Sequence, residues 1–290
     1  MSTLFRTFFT RSITAVVFVA IMLLGLLLNR YTFLALFTII AVGCLWEYQR
    51  LTNLMMMDVS DNSKGKKRNL IYQIAMWLAV MSILLMAIGL ALSIQSPRLD
   101  AIGLDILMIS FVLIPVSELF IGQFRFAFVI LSLAGCLYVG LAPALMIYFR
   151  WQQMHAFLQW IPVIIIGCVW VNDTMAYITG SLLGKHKLWP AVSPGKTWEG
   201  TLGGIVCTML LALVASEIWP LFSTWHWMMI ALLVGVFGTL GDLLESAMKR
   251  MAGVKDSGQL MPGHGGMLDR FDSMLIAVPV VWLYVHIWML

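Results

Sequence analysis

The sequence predicts an all-α integral membrane protein of about nine transmembrane helices, with its N-terminus in the cytoplasm. Three observations carry that reading. The first is composition: of 290 residues, 61% are hydrophobic and only 11% charged, with a mean hydropathy of +0.93. A soluble domain has about a quarter of its residues charged and about 45–50% apolar. Intrinsic disorder needs the opposite balance, low hydrophobicity with high charge. The second observation is that the apolar residues fall into nine runs of membrane-crossing length. The third is the one-sided placement of Lys and Arg.

A bilayer core of about 30 Å takes roughly 20 apolar residues as a helix, with about 17–25 tolerated. The runs are 13–29, 31–46, 70–94, 101–120, 126–148, 157–183, 201–219, 225–247 and 273–290. Arg6 and Arg11 ahead of the first mimic a signal peptide, but no small-x-small cleavage site follows, so it is expected to be a retained span. The second run is short. All are continuous and apolar nearly all round, which favours helices over the alternation of a barrel.

With the N-terminus inside, Arg6, Arg11, Arg50, Lys64, Lys66, Lys67, Arg68, Arg125, Lys185, Lys187, Lys196, Lys249, Arg250, Lys255 and Arg270 face the cytoplasm, and Arg30, Arg98 and Arg150 face the other side. Fifteen against three follows the inward bias of positive charge, and one miscounted span would scramble it. A bacterial inner (cytoplasmic) membrane suits this pattern. The natural division is 1–156, N-terminal transmembrane helices, and 157–290, a catalytic transmembrane domain.

Cys44, Cys136, Cys168 and Cys207 lie far apart inside apolar runs and read as packing residues, not as a zinc cage or disulfide framework. The formal charge of +4, with no basic stripe interleaved with aromatics, gives no support for nucleic acid. Neither a 20–50-residue repeat nor a matched pair of broken helices is visible, which argues against an inverted-repeat transporter. The basic stretch 58–68 reads as a solvated cytoplasmic loop.

Eight of the 14 carboxylates lie between Asp173 and Asp272, so the active site is expected in the C-terminal helices and cytoplasmic loops. Asp173 and Asp242 fall inside apolar runs, where an acid costs about 2.5–3.5 kcal/mol on insertion scales. Asp242, Glu245, Ser246 and Lys249, at spacings of three and four, share one helix face. An intrahelical Glu245–Lys249 ion pair is the plainer account of part of that strip.

In the following segment, Gly263, Gly265 and Gly266 can bring bare backbone N–H groups around phosphate oxygens, while Asp269 and Asp272 offer hard oxygen ligands. Mg²⁺ with a polyphosphate fits, and a Gly-rich turn returning the chain to the membrane is the structural alternative. Upstream stand Asn172, Asp173 and Tyr177, then the loop Ser193-Pro194-Gly195-Lys196-Thr197-Trp198-Glu199-Gly200. Its Gly-Lys-Thr does not read as a Walker A loop, because Pro190 stands where that motif needs Gly and no strand is predicted before it.

The run from Ser246 to Asp272 resembles the signature of the phosphatidate cytidylyltransferase (CDP-diacylglycerol synthase) family. Here it reads Ser-x-Met-Lys-Arg, four residues, Lys-Asp-x-Gly, two residues, Met-Pro-x-His-Gly-Gly-Met-x-Asp-Arg-Phe-Asp. Met261 stands where that family usually has Leu, Ile or Phe and conserves bulk. Asn172-Asp173 and the 193–200 loop are similar as well, so the likeness covers about 170–272, whereas the first 160 residues resemble the family only as a string of membrane helices.

The resemblance implies a Mg²⁺-dependent nucleotidyltransferase of phospholipid biosynthesis, which moves CMP from CTP to phosphatidic acid and releases pyrophosphate. A second cation such as K⁺ and a homodimer are compatible with it, and a nucleic-acid partner is not implied. It places Asp242 and Asp269 on the metal, with Asp272 and Asp256 as further partners, and Asp173 orienting substrate or metal. Lys249, Lys255 and Arg270 would neutralise the triphosphate and pyrophosphate, with Lys196 and Arg250 facing the same nucleotide. Ser246 and the 263–266 backbone would bind phosphate oxygens. His264 would position substrate, since the attacking phosphate is already ionised and needs no base.

Two rivals stay open. A lipid kinase would also need cytosolic nucleotide and Mg²⁺ but would release a nucleoside diphosphate. A transporter could use Asp173 and Asp242 as an intramembrane ion site, although the polar residues gather on one side only. The Asp-x-x-Asp-Gly string of CDP-alcohol phosphotransferases does not occur.

Overall fold

The structure, a computed structural model, describes residues 3–56, 62–91, 97–120, 126–152, 155–258 and 265–290. Among these are nine α-helices and one two-stranded hairpin: α1 (Thr3–Leu27), α2 (Arg30–Met56), α3 (Asn62–Ala91), α4 (Pro97–Phe120), α5 (Phe126–Trp151), α6 (Ile161–Leu183), β1 (Lys187–Trp189), β2 (Ser193–Thr197), α7 (Trp198–Ile218), α8 (Thr224–Met251) and α9 (Leu268–Trp288). A single 3-10 turn, Leu158–Trp160, leads into α6.

Among the described residues, six helices are long and apolar enough to cross a membrane: α2, α5, α7, α8, α9, and α6 together with its 3-10 turn. The other three carry shorter apolar stretches, Thr14–Leu27, Gln73–Gly89 and Ile102–Val116. Large apolar side chains such as Val16, Ile109, Leu182, Leu210 and Ile218 point outward. A helix can carry such a coat through lipid because its backbone hydrogen bonds close internally. The chain is an all-α integral membrane protein.

The chain forms two compact units. The first comprises Met1–Trp151 and Met251–Arg270, the second Gln152–Arg250 and Phe271–Leu290. The signature stretch is therefore shared, with 251–270 in the first unit and 246–250 and 271–272 in the second.

In the first unit α3 packs against α4 and α5, and α2 against α5. Asn29 separates α1 from α2, its Oδ1 accepting from the N–H groups of Tyr31 and Thr32, both at 2.9 Å. That satisfies donors a helix start leaves unpaired. Phe33, Phe37, Ile40, Met76, Val80 and Met146 are buried in the core. Buried hydroxyls turn back onto their own helix, Ser132 to the Phe128 carbonyl at 2.6 Å and Ser82 to that of Ala79 at 2.7 Å, which removes the cost of an unpaired polar group in apolar surroundings.

In the second unit small residues let backbones approach, as membrane helix packing requires. Gly200, Gly203 and Gly204 of α7 lie against Ala176, Thr179 and Gly180 of α6, and the Thr179 hydroxyl lies 3.2 Å from the Gly200 carbonyl oxygen. Gly238 and Gly241 of α8 meet Ser273 and Asp272 of α9 in the same way. Around the start of α8, Trp160, Trp219, Phe222 and Trp227 cluster, and His226 Nδ1 lies 2.7 Å from the Tyr284 hydroxyl. At 1.5 Å per residue this aromatic end lies roughly 24 Å along α8 from Asp242. Aromatics at that spacing suit one interface and acids the other.

Candidate active site

The strip read from the sequence lies on α8, and the second unit adds to it. One carboxylate oxygen from each of Asp242, Glu245 and Asp272 lies within 4.8 Å of the others. Glu245 is fully buried, Asp272 is 8% exposed, and the Asp242 side chain is about a third exposed, at 34%. Asp272 joins because α9 begins at Leu268, five residues before the predicted run, which puts it in the helix's early turns. The close approach is set by Gly241, where a Cβ would overlap the Asp272 carbonyl oxygen.

Two ammonium groups face these acids. Lys196 Nζ is 2.6 Å from Asp242 Oδ2, and Lys249 pairs with Glu245 one turn earlier on α8. The Ser246 hydroxyl donates to Asp242 Oδ1 at 3.3 Å, and Asp272 Oδ1 accepts from the Ser273 N–H at 2.6 Å. Among the described residues, these three acids against two cations leave an excess negative charge in a mostly buried place. Like charges so close repel strongly, and a hard divalent cation with oxygen ligands relieves that repulsion. The donor set fits such an ion, and the neighbouring ammonium groups fit phosphate oxygens.

Lys196 reaches this place from β2, which pairs antiparallel with β1, Lys187 opposite Thr197 and Trp189 opposite Ser193. The hairpin is tied to the start of α7. Thr197 Oγ1 accepts from the Gly200 N–H at 3.1 Å as the helix cap. Glu199 accepts from the N–H groups of Lys185 and His186 at 3.1 and 3.2 Å and lies 2.6 Å from His186 Nδ1. Arg250 is exposed, and its Nε donates to the Val192 carbonyl at 3.2 Å. Asp173 is exposed on α6, next to buried Asn172, whose amide lies 3.5 Å from its carboxylate.

Asp269 belongs to the first unit and is held there. Its Oδ2 accepts from the Ser257 N–H at 3.0 Å and from the Gly266 N–H at 2.8 Å, with the Ser257 hydroxyl also at 3.0 Å. The Gly266 N–H, expected to face phosphate, is thus engaged by Asp269. Gly265 has φ +82, in the left-handed region that favours glycine. Lys255, Asp256 and Arg270 are exposed. Gly263 and His264 lie outside the described residues.

Two acids escaped the sequence reading as site residues. Glu245 was visible on the strip and read as an ion pair. It makes that pair and also lies within the acidic cluster. Glu47 on α2 was not singled out. It accepts from the N–H groups of Met267 and Leu268 at 2.9 and 2.8 Å and from the Ser257 hydroxyl at 2.6 Å. Its one local signal is a carboxylate directly after an apolar run.

The fold and the site define a helical membrane protein with a mostly buried acidic cluster flanked by lysines. Comparison with known proteins narrows it. The model of the cytidylyltransferase family matches residues 9–288, and the chain belongs to that family. Among curated relatives, the phosphatidate cytidylyltransferase of Staphylococcus saprophyticus is 41% identical over 181 residues. Those of Staphylococcus haemolyticus and Staphylococcus aureus are 39% and 37% identical over 178 residues. Each alignment covers 61% of this chain and 66% of the relative.

Proposed function

We propose that the protein is a phosphatidate cytidylyltransferase, which transfers CMP from CTP to phosphatidic acid and yields CDP-diacylglycerol and pyrophosphate. The observation that carries this reading is the convergence of Asp242, Glu245 and Asp272 beside Lys196 and Lys249, in a chain of this family. The names of its relatives and the signature from Ser246 to Asp272 support the substrates.

In the reaction an oxygen of the lipid phosphate bonds to the α-phosphorus of CTP as the bond to the β-phosphate's bridging oxygen breaks, and pyrophosphate leaves. The attacking oxygen is already ionised at neutral pH, so no side chain has to remove a proton. Asp242 and Asp272, with Glu245 beside them, would hold Mg²⁺, which when bound supplies charge neutralisation at phosphate oxygens. The signature also assigns Asp269 to the metal, with Asp256 as a further partner. Lys249, Lys196, Lys255 and Arg270 neutralise the triphosphate and the departing pyrophosphate, Ser246 binds a phosphate oxygen, and Asp173 orients the substrate. In-line positioning and electrostatics supply most of the rate in such transfers.

All nine helices cross the membrane in this proposal, with the N-terminus cytoplasmic and the acidic cluster at the cytoplasmic interface of a bacterial inner membrane. Fifteen Lys and Arg on one side against three on the other support the arrangement. Purified protein in detergent with phosphatidic acid, labelled CTP and Mg²⁺ tests the function. Labelled lipid and released pyrophosphate are expected. Release of CDP with a newly phosphorylated lipid would mean a kinase, and absence of both products would overturn the proposal.

A further inference from the structure

Glu47 sits on α2 among apolar neighbours and is 5% exposed. A carboxylate in such a helix is costly and tends to mark function when its partners are specific. Its partners lie more than two hundred residues along the chain. Oε1 accepts from the Met267 N–H at 2.9 Å, and Oε2 from the Leu268 N–H at 2.8 Å and the Ser257 hydroxyl at 2.6 Å. The first two are donors at the start of α9, which any well-placed acceptor could satisfy. The third bond goes further, because the same hydroxyl lies 3.0 Å from Asp269 Oδ2 and the Ser257 N–H donates to that oxygen.

Two glycines of the signature agree with this geometry. A Cβ at Gly258 would overlap Glu47 Oε1, and one at Gly266 would overlap Glu47 Oε2 and the Ser257 hydroxyl. Bare backbone is required there for the acid to enter. Gly266 also gives its N–H to Asp269 at 2.8 Å, so the two carboxylates are gripped by one short stretch of chain.

We infer that Glu47 is a positioning residue, which anchors the start of α9 and, through Ser257, fixes the carboxylate of Asp269. The consequence for turnover rests on the proposed cytidylyl transfer, while the anchoring does not. Outer partners that orient a metal-binding or reacting group typically carry about 10–100-fold in affinity or activity.

The test uses the full chain in detergent or nanodiscs with Glu47→Gln, which keeps the size of the side chain but places an NH₂ donor against donors. Hydrogen exchange over residues 265–269 and turnover per folded molecule are measured, with folding checked by thermal midpoint. Faster exchange in this segment and a kcat about 10–100-fold lower are expected. Exchange and kcat both at wild-type values would overturn the inference, as would a lower thermal midpoint with kcat unchanged, which would leave Glu47 a purely structural cap. Should Glu47→Gln not fold, Ser257→Ala removes one oxygen and carries the same expectations in the same direction. A wild-type chain that forms no labelled lipid would sink the proposed reaction, and the exchange comparison would still decide the anchoring.

Discussion

Lys196 Nζ lies 2.6 Å from Asp242 Oδ2, so the hairpin between α6 and α7 delivers a cation to the acidic face of α8. Both side chains keep some solvent access, at 23% and 34%. Only partly exposed, the pair also offsets repulsion among the three acids. In the proposed reaction the pair would also place charge where phosphate oxygens arrive. Lys196→Met should lower the thermal midpoint modestly and lower kcat/KM for CTP by about 10²–10³-fold, the range for loss of one electrostatic contact to developing charge. A large drop in stability with little change in kcat/KM would assign the pair to folding.

Asp242 and Asp272 make a prediction that can be read without turnover. Asp242→Asn or Asp272→Asn removes one charge from the cluster of three acids, which weakens its hold on a hard cation. Mn²⁺ binding followed by electron paramagnetic resonance should weaken in each variant, and activity should fall by more than the about 10–100-fold carried by outer partners. Wild-type Mn²⁺ affinity in both would remove the cluster from metal binding.

Glu245 and Lys249 call for a paired experiment. Glu245 is fully buried and the Lys249 side chain is 14% exposed. Removing one partner strands the other charge away from water, at about 3–5 kcal/mol. Glu245→Gln should therefore lower the thermal midpoint sharply, and the double variant Glu245→Gln with Lys249→Met should regain much of it. Activity should not return, because the ammonium assigned to phosphate is gone. Recovery of both would leave the pair an architectural ion bridge.

The signals that were local in the chain were legible, and those that depend on distant partners were not. Continuous apolar runs announced the helices, and the spacing of three and four put Asp242, Glu245, Ser246 and Lys249 on one face. The second apolar run ends at 46, whereas α2 continues to Met56. Glu47 and Gln49 lower the local hydropathy, yet both are buried, and the amide of Gln49 donates to the Gln73 carbonyl at 3.3 Å. A window of neighbouring residues registers the cost of such groups and cannot see the partner that offsets it. Asp272 is legible in the sequence as an oxygen ligand, whereas its meeting with Asp242 and Glu245 depends on how α8 packs on α9. The β1–β2 hairpin is too short for an alternating pattern, and its strands form around Pro190, Pro194 and Gly195. Gly266, one of the glycines expected around phosphate, and Gly258 both leave room for Glu47, a partner on a distant helix.

Two glycines in membrane helices give opposite expectations from one substitution. A Cβ at Gly241 would run into the Asp272 carbonyl oxygen, which belongs to backbone and cannot swing aside, whereas a Cβ at Gly167 in α6 meets nothing within 4 Å. Overpacking of the first kind costs about 1–3 kcal/mol, while Gly to Ala in an open helical position gains up to about 1 kcal/mol. Gly241→Ala should therefore lower the thermal midpoint in detergent and reduce kcat, because separating α8 from α9 draws Asp272 away from Asp242. Gly167→Ala should raise the midpoint slightly and leave kcat alone. If both variants shift the midpoint in the same direction, close contact at Gly241 is not what sets the spacing of the acidic cluster.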